Sequence, residues 1–274
     1  MEDSLAQRTV RRALVTGASS GIGEAIARVL AEEGYRVALL ARRPTELKRV
    51  LAELPNVEGG AHLALPCDLT DPAAIDAAMA RLRAEFSGLD LLVNNAGVGY
   101  RARVEELDPA TLRTVFDTNV FALLLTCRAA LPMLREGVRP VVVNIASVVG
   151  RRGIPGQVGY AASKAAVCSI GEALRIEWAT DDIAVSTLNP ALTATGFFAN
   201  QANPAGLPDP DLGGAAEARD VALAVLALDR RPVPERSLRW KWHLLGVLSV
   251  IAPRLADRML VRRLGGGWRT PQRR

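Results

Sequence analysis

Cysteine and histidine are scarce in this 274-residue chain. The three cysteines, Cys67, Cys127 and Cys168, are odd in number and show no C-x-x-C spacing. Neither a disulfide framework nor a zinc site is expected, and a reducing compartment is the simpler setting. The two histidines, His62 and His243, lie too far apart in sequence to mark a local site, so no metal is expected. No uncharged apolar run approaches the roughly 18–20 residues that cross a bilayer. The opening residues, Met1-Glu-Asp-Ser, are acidic and lack an apolar core, so no secretory signal is expected and the expected location is cytoplasmic. Basic charge is also missing from most of the chain. Residues 1–235 hold 24 bases against 28 acids, whereas residues 236–274 hold ten bases and one acid, Asp257. A nucleic-acid binder would show bases across its domain, so no nucleic-acid partner is expected.

What is present is ordinary for a globular α/β protein: 49% hydrophobic and 23% charged residues. Short, nearly continuous apolar runs recur at residues 13–16, 36–41, 62–67, 89–94, 140–146 and 183–188, as for strands buried on both faces. Helical patterns stand between them at 22–33, 72–86, 109–136 and 158–179. The alternation predicts one α/β domain with a doubly wound parallel sheet of Rossmann type, helices on both faces, over residues 1–235. A basic amphipathic helical extension is expected over 236–264 and a flexible tail over 265–274. Residues 200–214, rich in Asn, Pro and Gly, read as a mobile surface loop.

In such sheets ligands sit at the carboxyl ends of the strands. The first strand runs into Thr16-Gly-Ala-Ser-Ser-Gly-Ile-Gly23, with Gly17, Gly21 and Gly23 spaced G-x-x-x-G-x-G. Glycines permit a tight turn and close backbone approach. The helix beginning near Ile22 directs free N–H groups at the loop, which favours a pyrophosphate. Ser19 and Ser20 line the same turn. A purely structural strand–helix turn stands as the alternative.

The spacing resembles the nucleotide loop of the short-chain dehydrogenase/reductase family, T-G-x-x-x-G-I-G, and the likeness extends over about residues 10 to 230. Asn94-Asn95-Ala96-Gly97 resembles that family's N-N-A-G. Asp68-Leu69 resembles its adenine-contacting pair. Asn119, Ser147, Tyr160 and Lys164 fall in the order and spacing of its catalytic four. The resemblance implies cofactor contacts from Asn95, Ala96, Gly97, Tyr160, Pro190, Thr193 and Thr195, and contacts to the nicotinamide ribose from Lys164. It also implies that Asn119 kinks its helix and holds a water, and that the protein is a homodimer or homotetramer. One departure is Asn189-Pro190-Ala191, where the family has glycine after the proline. Alanine is tolerated there if φ is negative.

The second strand ends Ala41-Arg42-Arg43, without the acid that would hold a ribose 2′-hydroxyl and repel a 2′-phosphate. A guanidinium clamps phosphate with paired, charge-assisted hydrogen bonds. The expected cofactor is therefore NADP(H), with Arg42 the main contact and Arg43 secondary. Tyr160 and Lys164, four apart at a helix start, share a face. A free tyrosine ionises near ~10, and a neighbouring cation favours the phenolate. Lys164 and an oxidised nicotinamide are expected to lower the Tyr160 pKa and fit it for proton transfer, as acceptor in alcohol oxidation and donor in carbonyl reduction. Ser147 is placed to polarise the substrate oxygen.

The expected activity is thus interconversion of an alcohol and a carbonyl. Val98, Val149, Ile154, Phe197 and Phe198 are candidates for an apolar substrate wall, which fits a lipid-, steroid- or retinoid-like molecule. Arg101, Arg103, Arg151 and Arg152 would instead suit an anionic carrier, as in a 3-oxoacyl thioester reductase. A catalytically silent nucleotide-binding regulator and a sugar-nucleotide epimerase are further alternatives. Residues 236–263 interleave bulky apolar residues with bases, include two of the four tryptophans, and are divided by Pro253. Such a segment can touch a membrane peripherally, cover a substrate pocket or pack on a second subunit.

Overall fold

The computed structural model describes residues 10–204, 206–208 and 213–264. The expected tail over 265–274, and residues 205 and 209–212 of the expected mobile loop, lie outside the described residues.

Nine strands and ten α-helices are seen among the described residues. In chain order they begin β1 (Arg12–Thr16), α1 (Gly21–Glu32), β2 (Arg36–Ala41), α2 (Pro44–Ala52), β3 (Leu63–Pro66), α3 (Pro72–Glu85), β4 (Leu91–Asn94) and α4 (Pro109–Phe116). A π-helical turn at Asp117–Phe121 follows, then α5 (Ala122–Arg135), β5 (Val141–Ile145), α6 (Val148–Arg151), α7 (Val158–Glu177) and β6 (Ala184–Asn189). The chain continues through β7 (Thr193–Ala194), β8 (Ala216–Glu217), α8 (Ala218–Arg230), β9 (Glu235–Ser237), α9 (Trp240–Ile251) and α10 (Pro253–Leu264).

Seven strands form one sheet in the order β3-β2-β1-β4-β5-β6-β9, every neighbour parallel. The strand interiors are apolar because both faces are covered, and successive residues feed opposite layers. Ala13, Val15, Val37, Leu39, Val141 and Val143 join one core with residues of α1, α2 and α8. Leu14, Ala38, Leu40, Leu92, Val142 and Val185 join the other with residues of α3, α5 and α7. All three cysteines are free and buried. His62 serves the fold: its Nδ1 accepts the Val37 N–H at 3.0 Å.

Helix starts follow local chemistry. Asp71 and Asp108 cap α3 and α4 by accepting the N–H groups of Ala73 and Thr111, with Pro72 and Pro109 at the first helical position. The expected helix over 109–136 is a continuous 27-residue run of α4, the π-turn and α5, long and apolar enough on average to cross a membrane. It packs against the core instead, through Ala122, Leu123, Cys127, Ala130, Met133 and Leu134.

The edge strand β9 is not evident from the sequence. It is three residues long and pairs with β6 through Thr187–Asn189, carrying the sheet two residues beyond position 235. Proline divides the C-terminal segment as expected, α9 ending at Ile251 and α10 opening with Pro253.

Candidate active site

The order of winding reverses between β1 and β4: all strands run parallel, but successive strands are added outward on opposite sides of that pair. A crevice therefore opens beyond their carboxyl ends. Gly17 and Gly21 adopt positive φ, +66° and +58°, in the turn leaving β1. Gly23 is needed for a different reason: a Cβ there would collide with the Gly17 carbonyl and the Asn95 side chain. Thr16, which sequence reasoning did not single out, ties this turn to the end of β4. Its hydroxyl accepts the N–H groups of Asn95 and Ala96, both at 3.0 Å, while Asn95 Nδ2 donates to the Thr16 carbonyl at 2.9 Å.

Ser20 starts α1 without capping it through its side chain, which leaves the first-turn N–H groups to face the crevice. Arg43 is at this turn, donating to Ser19 Oγ and Ser20 Oγ at 3.1 and 3.2 Å. Arg42, expected as the leading contact, lies near Asp68. The Asp68 carboxylate is held below its usual range by the N–H and hydroxyl of Thr70, with Arg42 contributing a smaller attraction. The backbone sends the two consecutive side chains to different neighbours. Leu69 is buried in the core behind Asp68, and Ile22 packs at the edge of the other core. Thr195 faces the glycine turn, 3.5 Å from where a Gly21 Cβ would stand. Thr193 Oγ1 donates to the Ala191 carbonyl at 3.0 Å, and the Pro190 carbonyl accepts the Val148 N–H. Ala191 is not among the described non-glycine residues with positive φ, so the alanine is accommodated without backbone strain.

The four candidate catalytic side chains gather at the carboxyl ends of β4, β5 and β6. Ser147 ends the β5 segment and caps α6, its Oγ accepting the Val149 N–H at 3.3 Å. Ser147 also hydrogen-bonds the Tyr160 phenol. Lys164 is buried and donates to the Ile145 carbonyl at 2.8 Å, with Nζ 6.0 Å from the Tyr160 ring centroid. Asn119 occupies the π-turn. Its Oδ1 accepts the Val98 N–H at 2.8 Å, and its Nδ2 donates to the Val98 carbonyl and to Ser163 Oγ, both at 3.0 Å. Ser163 in turn donates to the Tyr160 carbonyl at 2.7 Å. Sequence reasoning missed Ser163, although its position three residues after Tyr160 on one helix is a usable signal. Gly97 closes the group: a Cβ there would lie 3.1 Å from Asn119 Oδ1 and 3.4 Å from Lys164 Nζ.

The protein alone does not acidify Tyr160. Burial pushes the phenol up to about 12, opposed in part by the Ser147 hydrogen bond. Burial likewise pulls the Lys164 ammonium down to about 8. With its ammonium turned to a backbone carbonyl, Lys164 does not offset the loss of water around the phenol.

The apolar candidates separate into two places. Phe197 is 5.7 Å from the Tyr160 ring, centroid to centroid, and Phe198 meets Phe197 edge-on at 5.5 Å. Val149 and Ile154 cluster with Tyr160, Ala191 and Trp242 of α9. Val98 belongs instead with Tyr100, Ala102 and Val115 in a small separate cluster. The arginines at the mouth are committed internally: Arg151 pairs with Glu172 and Glu235, Arg152 pairs with Asp257, and Arg101 donates to the Pro208 carbonyl. Among the described residues no group of three or more His, Cys, Asp or Glu is arranged to hold a metal.

The glycine turn fits a dinucleotide by this geometry: space that a Cβ would fill, uncapped helix N–H groups, and a guanidinium held at the loop. Such a cradle beside a Ser–Tyr–Lys group with a buried lysine defines a nicotinamide-dependent oxidoreductase of Rossmann type. The chain belongs to the short chain dehydrogenase family, whose model matches residues 11–205. It is 34% identical to an uncharacterized oxidoreductase of Mycobacterium tuberculosis, over 91% of this chain and 97% of that protein. Among solved structures it resembles an alcohol dehydrogenase from Thermococcus sibiricus complexed with 5-hydroxy-NADP, with TM-score 0.75 and 29% identity over 84% of this chain and 97% of the other. It also resembles a 3-ketoacyl-(acyl-carrier-protein) reductase from Brucella melitensis complexed with NADH, with TM-score 0.74 and 30% identity over 83% and 96% of the two chains.

Proposed function

We propose that this oxidoreductase uses NADP(H) to interconvert an alcohol and a carbonyl on an apolar, lipid-, steroid- or retinoid-like substrate. The observation that carries the reading is the Tyr160 phenol, hydrogen-bonded to Ser147, flanked by Phe197 and set near a buried lysine. The bound nicotinamide would supply or accept the hydride and, when oxidised, add a positive charge to the site. In reduction Tyr160 donates its proton to the carbonyl oxygen while the Ser147 hydroxyl steadies the negative charge developing there. A phenol raised to about 12 is fully protonated at neutral pH, so the folded site starts loaded as a proton donor. Lys164 and Asn119 are anchored on the backbone of Ile145 and Val98, and Lys164 would hold the ribose side of the cofactor. NADP(H) is favoured by Arg42 and Arg43 at the end of β2, where no acid stands.

The apolar substrate is supported by Phe197, Phe198, Val149 and Ile154 around Tyr160. The internal pairing of Arg151 and Arg152 removes two of the charges an anionic carrier would use. The test is turnover of steroids, retinoids, acyl thioesters and small ketones with NADPH and NADH in parallel, for the wild type and Tyr160→Phe. The variant is expected to bind NADPH normally and to lose turnover. Near-wild-type turnover would remove Tyr160 from its role, and turnover confined to acyl thioesters would replace the apolar substrate.

A further inference from the structure

The C-terminal helix pair has two unlike sides. Inward, Trp242 joins the cluster around Tyr160, Gly246 packs against Arg151, and Ala256 and Leu260 are buried. Leu260 and Val261 wall a cavity of about 570 Å³ against Val149, Ile154, Val158 and Ala161. Arg152–Asp257 and the Arg263–Trp242 stack fasten the pair to the domain and to itself. This side packs on the domain.

The outward side has no partner among the described residues. On α9, Trp240, Leu244, Val247 and Ile251 recur at helical spacing, all exposed, with Val250 alongside. Val250 and Ile251 are 84% and 76% exposed, close to what free side chains would show, so the fold itself does not use them. On α10, exposed Leu255 and Met259 run beside Arg254, Arg258 and Arg262, three bases spaced four apart. The one acid of the pair, Asp257, is spent on Arg152. Apolar rows edged by unopposed cationic charge describe a face that enters the headgroup layer of an anionic bilayer.

We propose that the outer face of α9–α10 docks on a membrane surface containing anionic lipid. A second copy of this chain would satisfy the apolar rows, but a two-fold contact apposes the same patch on both subunits and would set basic row against basic row. A polyanionic nucleic acid would satisfy the bases and leave Val250 and Ile251 in water. A bilayer satisfies both. This inference does not depend on the catalytic reading: lipid binding is measured without turnover.

The test is co-sedimentation of the full chain with phosphatidylcholine vesicles, with and without about 30% phosphatidylglycerol, at low salt and at about 0.5 M NaCl, where exposed charges are screened. Recovery is expected with the anionic vesicles at low salt and little with the neutral ones. Each base near such a surface contributes about fivefold, so Arg254→Gln/Arg258→Gln/Arg262→Gln should weaken binding about a hundredfold. Val250→Ser/Ile251→Ser should also abolish recovery while leaving the assembly size in light scattering unchanged. Thermal melts matching the wild type verify that both variants fold, and the salt series on the wild type needs no variant. Equal recovery on neutral and anionic vesicles, or none on either, overturns the proposal. So does a serine variant that dissociates a larger assembly but still binds vesicles.

Discussion

Lys164 should cost this protein stability, and the cost should depend on pH. The side chain is 4% exposed, and its ammonium has one hydrogen bond, to the Ile145 carbonyl. Burial lowers its pKa from 10.5 to about 8. Below pH 8 lysine is charged in both the folded and the unfolded chain, and the full penalty of burying the charge applies. That lowering corresponds to about 3 kcal/mol. As the pH rises from 8 towards 10.5 the folded state gives up its proton first, so the unfolded state binds more protons and wild-type stability gains. In Lys164→Met this term is absent. Its lost hydrogen bond costs about 1 kcal/mol, so at pH 7 the variant should be more stable by about 2 kcal/mol, or roughly 4–8 °C in melting temperature.

Between pH 7 and pH 10 that advantage should shrink by about 2–3 kcal/mol, as the penalty in the wild type disappears. Tyr160 does not blur the comparison, because its phenol stays protonated in the fold throughout this range and its unfolded titration is common to both proteins. Urea denaturation of the two proteins without cofactor, at pH 7, 8, 9 and 10, measures the difference directly. A difference that stays constant or widens with pH would refute the argument. Turnover by Lys164→Met should be lost at every pH, so a gain in stability would accompany a loss of activity.

At the cofactor end, Arg43→Ala should weaken NADPH binding at least as much as Arg42→Ala, and both more than NADH binding, because Arg43 is the guanidinium fixed on Ser19 and Ser20. Equal losses for the two nucleotides, read by fluorescence titration, would place the 2′-phosphate elsewhere. Gly23→Ala drives a methyl into the Gly17 carbonyl, so it should abolish nucleotide binding and lower stability by about 1–3 kcal/mol. Normal binding in that variant would mean the turn is not the cradle.

The parts of the fold written in the sequence are those set by burial. Runs such as Val141–Ile145 admit only a strand covered on both sides, and the two cores confirm that alternate residues serve opposite layers. Glycine spacing was equally legible, because backbone approach excludes any other residue at Gly23. What was not legible depends on direction and solvent. Arg42 and Arg43 are adjacent and chemically identical, and only the path out of β2 decides which one meets the serines. At Tyr160 the neighbouring lysine is legible, but the desolvation that raises the phenol in the protein alone is not. The strand β9 is short, polar and at the edge, so it carries no periodic signal. Val98 reads as a substrate contact by position, and nothing in the sequence signals that Asn119 also clasps both its backbone groups.

The buried polar groups of the site share one construction: backbone, more than other side chains, satisfies them. Lys164 is held by the Ile145 carbonyl, Asn119 by both groups of Val98, Ser163 by the Tyr160 carbonyl, and Thr16 by the N–H groups of Asn95 and Ala96. These anchors lie at strand ends, in the stretch just past β4, or in a helix. The π-turn at Asp117–Phe121 belongs to the same logic. The irregular turn carries Asn119, the side chain that pairs with both backbone groups of Val98, which has left β4 and has no ladder partner. A site held this way does not need one catalytic side chain to keep another in place. Removing the Tyr160 hydroxyl takes away a proton donor and one hydrogen bond to Ser147, and leaves the positions of Lys164, Asn119 and the glycine turn to the backbone. That is the physical ground for expecting loss of turnover without loss of nucleotide binding.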